Sequence, residues 1–508
     1  MKFPECRTTD ITMRRWPVLI LPLLFGCASF APSSHLQRSY ESDWAPRMVP
    51  MLVEVVRFPT YAGNAQAFVD QKAWLARTAK ELGFIFNDAG PVAEIELAGP
   101  PGAPVLGLVV HGDVVPVSNN WTFPPFEAAV RDGMVLGRGT ADDKGPLVQA
   151  LLAMKVLKES ARPRTYTIRL LVGSDEETGS TDITKYLETH NAPDLSLVLD
   201  SNFPVVVGEM SGNTLRVDAR LEDREAGAIR LTSIAAGIAS NIVPDLTIVK
   251  IESRGDGEAL QRRLESRALP EGIRIETEVQ GSTIVVHTRG KAAHAGVNAA
   301  GGRNSLVAMA GLLADQLPKG GARDLLEYTR LAGQDLHGTG LGLTETHPVF
   351  GRAVVVPTVA RITPEGGAQL LATVRSHPDA SGDALKARLM ASIRDFNTRT
   401  GASLAGSGGF TSKPLVHDVD SKIVKRLLAA YARGTGKAEP PAISAGGTYA
   451  KRLPNSIVFG MWFPGKPYPG HDVDEQIAIE DLHKGVRVLL EGISDIIYRE
   501  PMKDPFKP

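Results

Sequence analysis

The chain has 508 residues, of which 43% are hydrophobic and 22% are charged, and its 56 basic and 57 acidic residues leave a net charge of -1. That length predicts two or three domains, and the neutral balance excludes a surface that binds nucleic acid through bulk charge. Both cysteines, Cys6 and Cys27, precede the first segment that reads as a folded domain, which excludes a disulfide framework.

Residues 1–27 have the pattern of an export signal. Two arginines precede an apolar stretch, Trp16 to Phe25, and the sequence LFGC at its end resembles a bacterial lipobox with Cys27 as the lipid anchor. The stretch is about ten residues long, whereas a membrane-spanning helix needs roughly 20. We therefore expect a lipoprotein on the periplasmic face of the outer membrane, or a periplasmic or secreted protein if Cys27 is not lipidated. Residues 28–43 then read as a polar tether.

Strand-like runs and helical patterns alternate in two parts of the chain. Runs such as Val105 to Val110 and Tyr166 to Val172 end in polar clusters and are followed by helical segments. This order predicts an α/β catalytic domain with a mostly parallel mixed sheet, formed by residues 44–207 and 409–499. Between residues 208 and 408 the strands alternate polar and apolar residues, which predicts an inserted α+β lid domain with one solvated sheet face.

Acidic and imidazole side chains follow directly after strand-like runs. Five such clusters contain His111 and Asp113, Asp142 and Asp143, Asp175 to Glu177, Asp200, and His471 and Asp472. The carboxyl ends of strands in an open α/β sheet line one crevice, so these segments could converge. Imidazole nitrogens and carboxylate oxygens are ligands that Zn²⁺ accepts, and a carboxylate can bridge two metals. One cluster alone is more often a solvated loop or a helix cap, so the metal prediction depends on all five.

The segments GRGTADDKGP, residues 137–146, and SDEETGS, residues 174–180, resemble a known enzyme family. They are similar to the co-catalytic zinc metallopeptidases of family M20, which includes aminoacylases, carboxypeptidase G and dipeptidases. The resemblance is strongest to the bacterial dipeptidase and carnosinase branch and extends over roughly residues 45–495. It implies a two-domain zinc exopeptidase fold with two Zn²⁺ per chain, for which Co²⁺ or Mn²⁺ could substitute.

The resemblance also implies which residues bind the metals. The first metal is expected on His111, Asp142 and Asp200, and the second on Asp142, Glu177 and His471. Asp142 would bridge the two ions, and its peptide bond to Asp143 would be cis. Three and four positions after His471 come Asp474 and Glu475, where relatives commonly carry Asn-Glu, a departure that bears on substrate preference.

Further roles follow from the same resemblance. Asp113 would orient His111, Glu176 would act as the general base, and His294 in the segment GKAAHAG would donate to the oxyanion. Substrate would be held by Asn241, Arg375 and the backbone of Gly446 and Gly447, with the Arg375 guanidinium on a terminal carboxylate. The alternatives are a plain turn residue at Asn241 and a surface ion pair at Arg375.

The implied function is metal-dependent hydrolysis of dipeptides or short peptides. An alternative in the same family is an N-acyl-amino-acid deacylase, because only the pocket distinguishes the two substrates. A non-catalytic periplasmic binding protein would predict a lost ligand or base, and all are present. The expected partner is a small peptide, with no nucleic acid and no membrane contact beyond the anchor. We expect a monomer, because a lid of about 200 residues can replace the partner subunit that shorter-lidded dimeric relatives use.

Overall fold

A computed structural model describes residues 33–117 and 120–508, so the predicted signal and Cys27 lie outside the described residues. The chain forms a first α/β segment, an inserted segment and a returning α/β segment. The helices of the first segment are α1 (Ser33–Ser39), α2 (Met48–Val56), α3 (Ala65–Leu82), α4 (Lys144–Glu159) and α5 (Thr181–Thr189). Its strands are β1 (Ile85–Ala89), β2 (Val92–Leu97), β3 (Val105–His111), β4 (Ala129–Arg131), β5 (Met134–Leu136), β6 (Thr167–Gly173), β7 (Leu195–Val198), β8 (Ser201–Asn202) and β9 (Val206–Glu209).

The inserted segment forms a second sheet. The strands of this segment are β10 (Ser211–Arg220), β11 (Ile229–Ala236), β12 (Leu246–Ser253), β13 (Arg274–Gln280), β14 (Thr283–Arg289), β15 (Thr346–His347), β16 (Gly351–Arg352), β17 (Val354–Ile362), β18 (Gly367–Ser376) and β19 (Ala405–Ser412). Its helices are α6 (Gly257–Glu265), α7 (Ser305–Leu313), α8 (Gly321–Ala332) and α9 (Gly382–Thr400).

The returning segment completes the first sheet and contributes two long helices. Its strands are β20 (Leu415–Val416), β21 (Ala442–Ser444), β22 (Ser456–Val458), β23 (Met461–Trp462) and β24 (Gln476–Ala478), and its helices are α10 (Lys422–Thr435) and α11 (Ile479–Ile497). The chain leaves the first sheet after Glu209 and returns to it after Ser412, a few residues beyond the boundaries expected at 207 and 409.

The first sheet is mixed, in the order β1-β2-β6-β3-β7-β22-β9-β20, with β21 paired to β9. Its central strands β6, β3, β7 and β22 run parallel, and β3 and β7 are buried along almost their whole length. Apolar runs buried on both faces are what a parallel sheet covered by helices requires. Helices α4 and α11 supply much of that cover and belong to the same hydrophobic core.

The second sheet is antiparallel, in the order β13-β14-β12-β11-β17-β18-β10-β19. Buried and exposed residues alternate along β10 and β11, so one face packs on helices and the other is more open. The predicted fold class, an α/β domain with an inserted α+β lid, is confirmed.

The N-terminal segment differs from the predicted tether. Residues 28–43 were expected to be a polar tether, but from Ser33 onward the chain is helical and packed on the catalytic domain. Leu36 and Tyr40 are buried in its core, Gln37 Nε2 donates to Glu491 Oε1 at 2.8 Å, and Tyr40 Oη lies 2.7 Å from His483 Nδ1. Residues four apart share one helix face, which is why two apolar side chains suffice to dock this segment.

None of the helices in residues 33–117 and 120–508 combines the length and the hydropathy needed to cross a membrane.

Candidate metal centre

The carboxyl ends of three adjacent parallel strands meet at one edge of the first sheet. His111 is the last residue of β3 and pairs with Gly173, the last residue of β6, while Val109 pairs with Val198 at the end of β7. Glu177 and Asp200 follow β6 and β7 within a few residues. The topology therefore brings these side chains into one crevice, as expected at the carboxyl edge of an α/β sheet.

Asp142 lies at the centre of this crevice. Its Oδ1 is 2.9 Å from His111 Nε2 and its Oδ2 is 3.2 Å from His471 Nε2, so one carboxylate faces two imidazoles. His111 Nε2 is also 3.8 Å from Asp200 Oδ1, and His471 Nε2 is 2.8 Å from Glu177 Oε1. The five residues expected to bind metal thus lie in two groups that share Asp142. The peptide bond between Asp142 and Asp143 is cis, as the resemblance implies.

The chemistry of the donors fits a pair of divalent cations. Ligand atoms of His111, Asp142 and Glu177 all lie within 4.8 Å of one another, as do those of His111, Asp143 and Asp200. Asp143 was not among the implied ligands. One of its oxygens accepts from the His111 amide at 3.1 Å, and the other is buried without a hydrogen-bond partner in the described chain.

Negative charge is concentrated in this buried space. Burial, together with the neighbouring Asp200, raises the pKa of Glu176 well above its ordinary value, and burial raises the pKa of Asp200 to about 7. Burial also acts to raise the pKa of Asp142, but hydrogen bonds from His111 and His471 outweigh it and hold that pKa well below its ordinary value. Buried carboxylates that repel one another need a compensating cation, and imidazole and carboxylate donors suit Zn²⁺.

Asp113 supports the crevice in a different way from the one expected. His111 Nδ1 lies 3.0 Å from the backbone oxygen of Asp113 and 3.5 Å from its carboxylate, so the backbone is the closer acceptor. The carboxylate instead accepts from the amides of Glu176 at 3.2 Å and Glu177 at 3.1 Å. Asp113 therefore fixes both the imidazole and the turn that presents the two glutamates.

Glu475 holds the loop that carries Asp142, a role the sequence did not indicate. Its buried carboxylate accepts from Arg138 Nη1 at 2.7 Å and from the amides of Gly139, Ala141 and Asp142 at 3.0, 2.8 and 3.1 Å. Nearby Asp474, where Asn was expected, has a φ of 60° and accepts from the Thr122 amide at 2.8 Å and its hydroxyl at 2.9 Å. Asp and Asn are among the non-glycine residues found most often in this left-handed conformation, so the backbone at position 474 accommodates either residue.

The lid brings Asn241 and Arg375 to the same crevice. Asn241 Nδ2 donates to Glu177 Oε2 at 3.1 Å, so this residue is more than a turn former. Arg375 lines the cleft beside the turn of Glu176, and its Nε has no hydrogen-bond partner in the described chain. Gly447 lines the cleft as well, whereas the Gly446 amide donates to Ser444 Oγ at 3.0 Å and a side chain at Gly446 would meet Val297.

His294 stands over the metal ligands in a defined tautomer. Its ring stacks on that of His471 with centroids 4.4 Å apart. The amides of Gly296 and Val297 both donate to His294 Nδ1 at 2.9 Å. Because Nδ1 accepts, the proton of the neutral ring is on Nε2. Burial, together with His471 and Arg375, lowers the pKa of His294 well below its ordinary value, so the ring is a neutral Nε2–H donor.

Two further residues of the site have no counterpart in the sequence-based prediction. The phenol of Tyr468 lies near Asp142, and its ring makes an edge contact with His294 at 6.3 Å between centroids. Lys451 lies on the cleft wall beyond the glutamates. Neither belongs to a motif, and only the fold shows that they reach the crevice.

Comparison with known proteins agrees with the family resemblance of the sequence motifs. A model of peptidase family M20/M25/M40 matches residues 107–495, more than half of the chain. A putative dipeptidase of Bacillus subtilis is 28% identical over 403 residues, which cover 78% of this chain and 83% of the relative. A β-Ala-Xaa dipeptidase of Lactobacillus delbrueckii is 27% identical over 399 residues, with coverage of 78% and 83%.

Solved structures share the fold at low sequence identity. Human carnosine dipeptidase 1 superposes with a TM-score of 0.59 at 13% identity, covering 91% of this chain and 98% of that one. A dipeptidase from Saccharomyces cerevisiae gives a TM-score of 0.58 at 12% identity, with the same coverage.

Proposed function

Because the chain belongs to peptidase family M20/M25/M40 and is a peptide-bond hydrolase, we propose that it is a dinuclear zinc dipeptidase with Glu176 as its general base. The observation that carries the proposal is the pair of Asp142 oxygens, which face His111 Nε2 and His471 Nε2 at 2.9 and 3.2 Å. Each imidazole has a second carboxylate beside it, Asp200 or Glu177. His111, Asp142 and Asp200 would hold one ion, and Asp142, Glu177 and His471 would hold the other, with Co²⁺ or Mn²⁺ as alternative metals.

The protein's own residues perform the proton transfers. When bound, Zn²⁺ would lower the pKa of water and polarise the scissile carbonyl. Glu176 takes a proton from the attacking water, whose oxygen bonds to the carbonyl carbon. The carbon–nitrogen bond then breaks, and Glu176 returns the proton to the leaving amine. The Nε2–H of His294 donates to the carbonyl oxygen as negative charge develops there.

The cleft limits the length of the substrate. Arg375 lines it, and its guanidinium suits the terminal carboxylate of a peptide that reaches the candidate metal ligands with its scissile bond. The lid and the catalytic domain meet around it, because Asn241 contacts Glu177 and Asn298 Nδ2 donates to the Tyr468 backbone oxygen at 3.1 Å. A dipeptide suits such a cleft, and the name of the Lactobacillus relative, a β-Ala-Xaa dipeptidase, supports the same class.

A substrate scan tests this function. Metal-loaded protein is incubated with dipeptides, tripeptides and N-acetyl amino acids, and released amino acids are quantified. We expect dipeptides to be cleaved with the highest kcat/KM. Exclusive hydrolysis of N-acetyl amino acids would favour a deacylase instead, and absence of hydrolysis throughout would contradict the proposal.

We also propose that the enzyme works outside the cytoplasm, anchored through Cys27. The support is the sequence pattern of residues 1–27, since Cys27 lies outside the described residues. Two or more acyl chains would give stable membrane attachment. Fractionation of a Gram-negative host that expresses the Cys27→Ser variant should move the protein from the membrane to the soluble fraction. Unchanged membrane retention would contradict the anchor.

A further inference from the structure

The cleft beside Glu176 is a cavity of about 210 Å³ that is lined by both the catalytic domain and the lid. Polar side chains and glycines form its wall. Among the described residues that line it, none has an aliphatic side chain, and His294 is the only residue with a ring. Ligand pockets are usually lined mainly by apolar groups, so a wholly polar wall indicates a polar occupant.

Three cationic side chains lie in this wall, those of Arg375, Lys451 and Arg452, together with the carboxylates of Glu176 and Glu177. Arg375 comes from β18 of the lid, and Lys451 comes from the loop between β21 and β22 of the catalytic domain. Burial, opposed by Glu209 and assisted by Arg375, lowers the pKa of Lys451 to about 8, which leaves the ammonium charged at neutral pH. The buried carboxylates of Glu209 and Glu176 act electrostatically on both Arg375 and Lys451. The wall thus has more cationic side chains than carboxylates, which favours an anionic ligand.

The Lys451 ammonium is held at a fixed point of the wall. Its Nζ donates to the backbone oxygen of Met210 and lies 3.4 Å from Ser412 Oγ. The neighbouring Thr448 is fixed by the buried carboxylate of Glu209, which accepts from its amide at 3.2 Å and its hydroxyl at 2.9 Å. A side chain at Gly447 would meet Lys451 Nζ at 2.8 Å, so the glycine keeps the space beside the ammonium open.

We propose that this cavity selects substrates whose C-terminal residue is acidic, with the α-carboxylate on Arg375 and the side-chain carboxylate on Lys451. The inference rests on the proposed dipeptidase function and names the substrate class of that same site. An aspartyl or glutamyl side chain hydrogen-bonds the wall and neutralises Lys451. A leucyl side chain in the same place would leave polar groups without partners, which is unfavourable.

Matched pairs of dipeptides test the inference on the metal-loaded enzyme. Ala-Asp is compared with Ala-Asn, and Ala-Glu with Ala-Gln, because each pair differs in charge and hardly in shape. A hydrogen bond to a charged group corresponds to a gain of about 10- to 100-fold in kcat/KM for the acidic member. Calorimetry should likewise show that L-glutamate binds more tightly than L-glutamine.

Lys451→Gln should reduce the ratio of kcat/KM within each pair toward one, and Lys451→Arg should retain a preference for the acidic member. Lys413→Gln is the matched control, because Lys413 is exposed and lies outside the cavity wall. Equal kcat/KM within both pairs on the unmodified enzyme would overturn the acid preference and leave the dipeptidase function standing. Failure to hydrolyse any dipeptide would overturn the proposed function and this inference together.

Discussion

Glu176 is adjacent in sequence to Glu177, a proposed metal ligand, and acts as the general base in the proposed mechanism. Burial and the neighbouring Asp200 raise the pKa of its carboxyl, so the group binds a proton more readily than an exposed glutamate. Glu176→Gln preserves its shape but removes its basicity, and we expect a loss of about 10²- to 10⁴-fold in kcat with the metal content unchanged. Steady-state kinetics and elemental analysis provide the two readouts.

Glu177→Gln is the control for that substitution, because it alters the neighbouring side chain that contacts His471. This variant should lose metal, whereas Glu176→Gln should not. Near-normal turnover of Glu176→Gln would show that another group takes the proton.

At the residue scale, motifs made most of the site predictable. His111, Asp142, Glu177, Asp200 and His471 meet in the crevice because each follows a strand or a glycine-rich turn that the sequence displays. Lys451, Tyr468 and Glu475 could not be assigned, because their roles depend on contacts between segments remote in the chain. Arg138 and Glu475, for example, are 337 positions apart.

The loop between β5 and α4 carries Asp142, and Glu475 is its principal support. Removing the charge of Glu475 leaves the buried guanidinium of Arg138 without its partner, at a cost of about 3 kcal/mol in the free energy of unfolding. Metal affinity should also fall about 10- to 100-fold in Glu475→Gln, because the loop positions a ligand. Urea denaturation and competition with a metal chelator measure the two effects.

Glu480→Gln, at the exposed start of α11, is the matched control and should leave both quantities unchanged. If Glu475→Gln behaved like Glu480→Gln, the loop would have to be held by other contacts.

At the element scale, strands β3 and β6 followed from the apolar runs that predicted them, but helix α1 did not. Its sequence is mostly polar, and only Leu36 and Tyr40 mark an apolar face. From the sequence alone, a helix with so few apolar residues looks the same as a solvated segment. Its docking surface includes α11, which lies more than 400 positions downstream, so only the folded structure shows the contact.

At the scale of the whole molecule, we propose that one chain forms a complete active site. His294 stacks on His471 of the same chain, and Lys291 Nζ lies 3.6 Å from Asp472 Oδ2 across the cleft. Light scattering of protein lacking residues 1–32 should therefore give the mass of a monomer. Mixing inactive His294→Ala and Glu176→Gln variants should not restore activity. A stable dimer whose mixed form regains activity would show that His294 acts across subunits.

The central claim is that peptide hydrolysis depends on a pair of metal ions held by His111, Asp142, Glu177, Asp200 and His471. The most direct test is to remove metal with a chelator and titrate Zn²⁺ back while dipeptide hydrolysis and bound metal are measured together. We predict no activity in the metal-free protein and full recovery when two ions are bound per chain. Full activity in protein that elemental analysis shows to be metal-free would contradict the claim.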